Sequence, residues 1–327
     1  MTTTINEQDQ GANKARKPRH WPRTIWRWLV ADDAARPDDT THDDARIDWL
    51  RAVPFFALHL ACMGVIWVGF SWTALWVCVA LYLVRMFFIT AFYHRYFSHR
   101  AYRTSRAFQF VMAALACTAG QRGPLWWAGH HRYHHAHADE HEDHHSPTWH
   151  GLIWSHTGWF LTRGNYYTPW RHVRDWARYP ELRWLNRFDW LPLLALALGL
   201  YALGAMLAAR APVLGTDGPQ LLIWGFFVST VALYHGTYTI NSLAHTFGRR
   251  RFDTADTSRN NFWLTLVTLG EGWHNNHHHY PATARQGFYW WELDPTWYAL
   301  IALSWTGLIR DLRPVPAHVL ERHRLDD

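Results

Sequence analysis

The sequence predicts an all-α membrane protein whose four transmembrane helices form two hairpins. The main observation is four apolar runs of 18 to 21 residues, at 53–70, 72–92, 190–209 and 221–240, in which Arg85 is the only charged residue. As a helix, each run is long enough to cross a hydrocarbon core of about 30 Å. Mean hydropathy is only −0.26 because very polar blocks separate the apolar runs.

The links between the runs define the hairpins. Ser71 alone separates the first two runs, and residues 210–220 separate the last two. The chain also has 23 Trp, many of them near the apolar runs, as is typical at membrane–water interfaces. These features support spans that end at a bilayer surface.

The basic residues predict the orientation. Of 32 Lys and Arg, only Arg210 falls in the two loops on the far side of the predicted spans. Positive residues concentrate on the cytoplasmic side, so both termini and the loop 93–189 are expected there. The net charge of +6 then favours attraction to an anionic membrane surface rather than to nucleic acid.

The remaining segments divide the chain into a cytoplasmic extension at 1–50, a membrane domain at 51–315 and a tail at 316–327. The extension is expected to be partly disordered, with a short interfacial helix at Trp21–Val30 and no signal peptide. Two short apolar segments, 106–120 and Trp297–Ile309, are expected to lie at the membrane surface. None of the three cysteines forms a CxxC pair, so neither disulfides nor thiolate metal sites are indicated.

Two histidine triplets share one spacing. His274, His277 and His278 stand at i, i+3 and i+4, and so do the second set, His131, His134 and His135. That spacing places three imidazoles on one face of a helix. Two triplets exceed the four ligands of one structural zinc site, which also favours cysteine.

Further polar residues follow the second and fourth runs. His94 and His99 are about 140° apart on an ideal helix, so they can share a site only between helices or on a distorted helix. Asn241 and His245 stand at i and i+4. All nine histidines are expected on one side of the membrane, enough for two metal ions with four or five ligands each. Imidazole suits iron, copper, zinc and nickel alike.

The motifs resemble those of the membrane fatty-acid desaturases, and most closely acyl-CoA desaturases of the stearoyl-CoA type and their bacterial counterparts. The resemblance covers roughly residues 50–315 and includes HRYFSH at 94–99, HRYHH at 131–135, NSLAH at 241–245 and GEGWHNNHH at 270–278. It implies a cytoplasmic helical cap of residues 93–189 and 241–327 above the spans. It also implies that the nine histidines bind two irons, with Asn241 holding one through water.

This resemblance implies an oxygen-dependent desaturase that introduces a cis double bond into a fatty acyl chain, held in an apolar tunnel. A ferredoxin-, flavodoxin- or rubredoxin-type protein is expected to supply electrons. Gly129 and His130 stand where the animal acyl-CoA enzymes have an Arg-Asp pair that contacts the nucleotide headgroup. Arginines near the motifs, Arg95, Arg122 and Arg132 among them, nevertheless predict an anionic headgroup, CoA first and then phospholipid or free acid.

Two rival functions remain open from sequence. A hydroxylase or a fatty-acid decarboxylase could use the same di-iron scaffold, since substrate placement decides the outcome. A metal-binding or metal-transport protein is the rival of a different class, but a transporter is expected to place its ligands inside the spans.

Within the spans, His59 and His235 are expected to have a hydrogen-bonded structural role. Glu271 is a candidate to orient a ligand imidazole.

Overall fold

The computed structural model describes Val30 and residues 45–325 and shows a mainly helical protein. Within this part of the chain, four helices are long and apolar enough to cross a membrane: span 1 (Trp49–Val68), span 2 (Trp72–Ser98), span 3 (Trp190–Arg210) and span 4 (Gly218–His245). The four predicted spans are therefore confirmed. Spans 2 and 4 continue past the predicted ends at 92 and 240, so each carries histidines out of its apolar stretch.

Side-chain caps define where the spans begin. The Asp48 carboxylate accepts a hydrogen bond from the backbone N–H of Arg51, and Ser71 does the same for Ala74. Between spans 1 and 2 the chain turns at Gly69, whose φ of +68° suits a residue without a Cβ. Capping residues of these types satisfy N–H groups that have no partner in the first helical turn.

The spans differ in how far they are buried. Only 6% of the apolar stretch of span 1 and 11% of that of span 3 are buried, against 39% in span 2 and 50% in span 4. Spans 1 and 3 each pack on the first half of span 4, Leu221–Val228, rather than mainly on each other. Spans 2 and 4 therefore form the interior of the membrane domain, and spans 1 and 3 are its outer helices.

The spans are not uniform α-helices. Span 1 contains a 3-10 turn at Cys62–Gly64. Span 2 changes from α to π winding at Phe88–Ser98. Span 4 combines Gly218–Gln220, a π segment at Leu221–Val228, the α-helix Ser229–Ser242 and a 3-10 turn at Leu243–His245.

Outside the spans and the link between spans 3 and 4, the described chain forms a helical cap over the ends of spans 2 and 4. Its helices are Arg106–Cys117, Pro124–His137, Pro147–His150, Arg174–Ala177, Pro180–Arg187, Phe262–Val267, His274–His279, Pro295–Trp305 and Ala317–Glu321. Shorter 3-10 and π turns lie at Trp154–Gly158, Trp159–Leu161, Trp170–His172 and Pro212–Leu214, the last of these between spans 3 and 4. Two short antiparallel strands, Arg103–Thr104 and Ile309–Arg310, join the beginning of the cap to its end.

Polar side chains inside the spans bond to one another. The Nε2 atoms of His59 and His235 are 3.1 Å apart, and His235 Nδ1 lies 3.0 Å from His156 Nε2. Arg85 is buried and donates to Thr230 and to a backbone carbonyl of the cap side. The hydrogen-bonded arrangement expected for the two histidines is present, and Arg85 does not extend to the lipid surface.

The interfacial helix expected at Trp21–Val30 and the disorder expected at 1–50 lie outside the described residues, apart from Val30 and residues 45–50. In the tail, Val319 of the helix Ala317–Glu321 is buried with Phe252 and Phe288. The tail therefore packs on the cap.

Candidate metal centre

A change of helical winding brings His94 and His99 together. In the π segment of span 2, the backbone N–H of His99 donates to the carbonyl of His94 at 3.3 Å, an i→i+5 bond. This winding brings residues five apart close to one face, and their ring centroids lie 4.9 Å apart. The distorted helix, one of the two alternatives left open by an ideal helix, is therefore present.

The nine predicted histidines lie together in two adjacent groups. The five-histidine group is His94, His99, His131, His135 and His277, and the four-histidine group is His134, His245, His274 and His278. Within each group, one ring nitrogen of every residue lies within 4.8 Å of the others. The groups do not follow the sequence motifs, because each triplet contributes to both.

Carboxylates fix the outer nitrogen of four of these rings. Glu271 lies 2.6 Å from His94 Nδ1 in the five-histidine group. In the four-histidine group, Nδ1 of His134, His245 and His278 lies 2.8 to 2.9 Å from Asp143, Asp139 and Asp256, respectively. A proton held between Nδ1 and a carboxylate leaves the Nε2 lone pair directed into the group.

Both groups fit a metal ion. His94 Nε2 lies 3.0 Å from His277 Nε2, and His245 Nε2 lies 3.0 Å from His274 Nε2. Lone pairs facing each other at this distance are stabilised by a shared cation, and nitrogen ligands typically bind such ions at about 2 Å. Among residues 45–325, the buried Nε2 of His278 has no hydrogen-bond partner, which also fits a ligand role.

The protonation states agree with metal binding. Burial lowers the pKa of His99, His131 and His277 well below its usual value, and the neighbouring imidazoles lower it further. These rings are therefore neutral near pH 7, which is the form that binds metals. Burial alone would raise the pKa of Asp143, but His134 and His145 outweigh it and keep the carboxyl ionised.

Three of the four carboxylates were not singled out from sequence. Asp139 and Asp143 stand among the histidines that follow the second triplet, so that acidic cluster was an available signal. No signal in the sequence pointed to Asp256, because it contacts His278 from 22 residues away along the chain. Glu271, a candidate from sequence, contacts an imidazole of the site, that of His94.

The other histidines lie mostly outside the two groups. His145 is the exception, because it forms a smaller cluster with His134 and Asp143. His130 lies 3.1 Å from a backbone carbonyl, and His279 stacks on Phe252 at 4.0 Å. His141 and His150 are exposed.

Two cavities meet beside the five-histidine group. The larger has a volume of about 270 Å³ and is lined by aromatic and aliphatic side chains such as Phe55 and Leu193. The smaller, of about 50 Å³, extends toward Met86 and Ile89. Both are bounded by the same four residues, Trp127, His131, Thr237 and Asn241. Asn241 therefore lies at the junction.

The three arginines predicted to bind substrate occupy different places. Arg122 lines the larger cavity. Arg95 is fully buried, and its guanidinium donates to Glu271 and Asp294. Arg132 donates to Asp175 and to the backbone carbonyls of Phe97, Ser98 and His172. The substrate contact predicted for Arg95 is therefore corrected, because its side chain is fully enclosed and braces the cap. The contact predicted for Arg132, whose side chain is 20% exposed, stays a prediction.

Comparison with known proteins agrees with this architecture. The sequence profile of the family described as "Fatty acid desaturase" matches residues 70–304. An sn-2 palmitoyl-lipid 9-desaturase of Nostoc sp. (strain 36) is 35% identical over 276 residues, which cover 83% of this chain and 92% of the relative.

Two further relatives differ in the acyl carrier that their names give. An sn-1 stearoyl-lipid 9-desaturase of Anabaena variabilis is 34% identical over 84% of this chain and 96% of its own length. An acyl-CoA 5-desaturase of Anemone leveillei is 34% identical over 81% of this chain and 79% of its own length. With its four apolar spans, its two histidine groups and these matches, the chain belongs to the fatty acid desaturase family.

Proposed function

We propose that this protein is an oxygen-dependent di-iron desaturase that introduces a cis double bond into a fatty acyl chain. The observation that carries the proposal is the position of the histidine groups, which border the junction of two cavities in a membrane domain. An apolar chain can occupy the cavities while one of its methylenes lies beside the five-histidine group.

The five-histidine group would hold one iron and the four-histidine group the other, with Asn241 contributing through a water molecule. When bound, this pair would supply the oxidising chemistry: one O2, two electrons and two protons are consumed, two hydrogens leave adjacent carbons, and two waters form. A redox protein of the ferredoxin, flavodoxin or rubredoxin type would deliver the electrons.

The protein's own residues have a positioning task. At the junction, Gln121 Nε2 donates to Thr237 Oγ1 at 3.0 Å, and Trp127 Nε1 donates to Gln121. These bonds join the loop before the helix Pro124–His137 to span 4 and fix the wall of the junction, where the Trp127 ring stacks on that of His131 with centroids 5.1 Å apart. A rigid wall holds the reacting carbons in place and excludes water.

The acyl carrier has three candidates, CoA, a membrane lipid and the free acid, and the relatives' names include the first two. Relatives named for each of these two match at nearly the same identity. A CoA thioester was the first choice from sequence.

Two rivals are weaker. Hydroxylation or decarboxylation would use the same metal centre as desaturation, so only the products distinguish the three reactions. A metal transporter would need ligands near the middle of the bilayer. Here the histidine groups lie in the cap and at the cap-side ends of spans 2 and 4.

Lipid analysis of cells expressing the chain tests the proposal most directly. Mass spectrometry should find monounsaturated acyl chains of unchanged length, and the anaerobically purified protein should hold close to two irons. A hydroxylated or shortened product would establish one of the rivals. A single iron per chain, or full activity with zinc alone, would exclude a di-iron centre.

A cytoplasmic active site is part of the proposal and has its own test. Reporter fusions at Asp327 and in the loop near Asp217 should report opposite sides of the inner membrane. Finding both on one side would contradict the topology.

A further inference from the structure

One end of the larger cavity is polar and lies where two spans begin. This polar mouth consists of Arg51, Arg122, Tyr166 and Asp189, all of which line the cavity. Arg51 is in the first turn of span 1, and Asp189 immediately precedes span 3. The mouth therefore lies at the membrane–water interface, at the depth of lipid headgroups.

Two guanidinium groups flank one aromatic ring in the polar mouth. Arg51 lies 3.7 Å and Arg122 3.9 Å from the centroid of the Tyr166 ring. Arg122 also donates to the backbone carbonyl of Tyr166 at 2.9 Å. Guanidinium groups held in this way present ordered N–H donors, which suit the oxygens of a phosphate.

The carboxylate of Asp189 gives the mouth a second kind of site. Its side chain is largely buried, and within residues 45–325 its Oδ2 atom has no hydrogen-bond partner, although Arg122 Nε lies 4.0 Å away. Burial raises the pKa of Asp189 to about 6 while Arg122 opposes the rise, so the group is mainly ionised at neutral pH. An acceptor oxygen at the cavity wall therefore remains available to a donor on a ligand.

Each arginine of the mouth has a carboxylate partner. Asp48, which pairs with Arg51 at 3.3 Å, lies next to the mouth, and Asp189 within the mouth faces Arg122. Two positive and two negative groups suit a ligand that has both an anion and a cation. They do not suit CoA, whose several phosphate groups need an excess of positive charge.

The bilayer side of the cavity is formed by the two outer spans. Span 1 contributes Phe55 and Leu58, and span 3 contributes Trp190 and Leu193. Both helices pack on span 4 rather than mainly on each other, so on the bilayer side the cavity is bounded by two helices that are not packed mainly against one another.

We propose, building on the desaturase function above, that the substrate is an acyl chain of an intact aminophospholipid that enters from the bilayer between spans 1 and 3. Arg51 and Arg122 bind its phosphate, and Asp189 binds its ammonium group. The structure thus assigns the polar mouth as a headgroup site for a zwitterionic lipid such as phosphatidylethanolamine.

The test uses the iron-loaded protein in lipid nanodiscs with a chemical or protein reductant. Isotope-labelled palmitoyl chains are supplied as phosphatidylethanolamine, phosphatidylglycerol, diacylglycerol or palmitoyl-CoA. The chain on phosphatidylethanolamine should be desaturated fastest and without release from glycerol. Native mass spectrometry should also show retention of phosphatidylethanolamine, which is a readout independent of turnover.

Variants separate the two parts of the headgroup site. R122Q and R51Q should each lower conversion and retention of both phospholipids by about tenfold, since each removes a charged donor. D189N should lower the conversion and retention of phosphatidylethanolamine to a similar extent and change those of phosphatidylglycerol little. R103Q is the matched control, because Arg103 is exposed on the cap and pairs with Asp311. R122K, which keeps the charge, should recover part of the loss.

Measurements on the wild-type protein and on D189N can each overturn the inference. The inference fails if palmitoyl-CoA is converted faster than every lipid-linked chain, or if the chain on diacylglycerol is converted as fast as that on phosphatidylethanolamine. The inference also fails if D189N lowers the conversion of all four substrates equally. If the iron-loaded wild type desaturates none of the four, the proposed function itself is wrong, which is a different result.

Discussion

The two histidine groups differ in what surrounds them more than in their ligand atoms. In the four-histidine group, three of four rings contact an aspartate through Nδ1. In the five-histidine group, Glu271 contacts one ring, His94, and the group borders the junction of the cavities. The first group thus has more negative charge around it. His131 of the second group borders both cavities, whereas His134 and His274 of the first group border only the smaller one.

This difference assigns different tasks to similar ligands. Carboxylates behind imidazoles fix ring orientation and make the ring a stronger ligand. The four-histidine group would therefore hold a bound ion more tightly. The five-histidine group has fewer such restraints.

Removing one ligand from either group should have the largest effect. H274A in the four-histidine group and H277A in the five-histidine group should each reduce turnover at least 100-fold, because both ions act as a unit. Iron per chain, measured by mass spectrometry, should fall from two toward one in each variant. H131A and H134A should behave in the same way. If H277A keeps two irons and its activity, the five-histidine group is not a metal site.

Replacing the supporting carboxylates should reveal the difference between the groups. D143N and D256N should weaken metal retention in the four-histidine group about 10- to 100-fold, the range typical of such partners. E271Q should act on the five-histidine group and leave the other ion in place. Chelator competition followed by Mössbauer spectroscopy distinguishes the ions. Equal loss of both ions in all three variants would show that the groups are not separable.

Acid should destabilise the metal-free protein mainly through the five-histidine group. Burial and neighbouring imidazoles hold the pKa of His99, His131, His135 and His277 well below 6.5. Below pH of about 6.5 the unfolded chain binds protons that these folded rings do not, so the free energy of unfolding falls as pH falls.

Two variants test the sign of this pH effect. H135Q should flatten the acid-induced fall in melting temperature between pH 7.5 and 5.5. Burial would lower the pKa of His134, but Asp143 outweighs it and raises that pKa, so His134 stabilises the fold in acid. H134Q should therefore steepen the fall. Identical slopes in the two variants would contradict the assigned shifts.

The smallest effect is expected at histidines outside both groups. His141 is exposed and stacks beside Trp149 at 5.4 Å. H141A should keep most activity and both irons, and H150A should do the same. A loss comparable to that of H274A would show that membership of the two groups is not what matters.

Much of this architecture was predictable because it rests on local periodicity. Four uncharged runs predicted the spans, and i, i+3, i+4 spacing predicted which imidazoles share a helix face. How the nine histidines divide between two groups was not predictable, since that depends on how four helices rotate against one another. The π winding at Phe88–Ser98 was not predictable for a similar reason, although the spacing of His94 and His99 required a departure from an ideal helix.

Long-range contacts account for the remaining errors. Asp139 reaches His245 across 106 residues, so no sequence window contains both. Arg95 lies beside a ligand in sequence, but its guanidinium is drawn inward by Asp294, 199 residues away. A charged residue close to a motif can face either the substrate or the protein interior, and only its distant partners decide which.

The distance along the chain between His94 and His277 also bears on how the protein is made. Their Nε2 atoms meet at 3.0 Å although the residues are 183 positions apart, with spans 3 and 4 between them. During synthesis, the first hairpin is therefore complete long before its histidines can find their partners. The complete five-histidine group can thus form only after the second hairpin and His277 have been synthesised. Until then the nascent chain holds only a partial set of imidazoles.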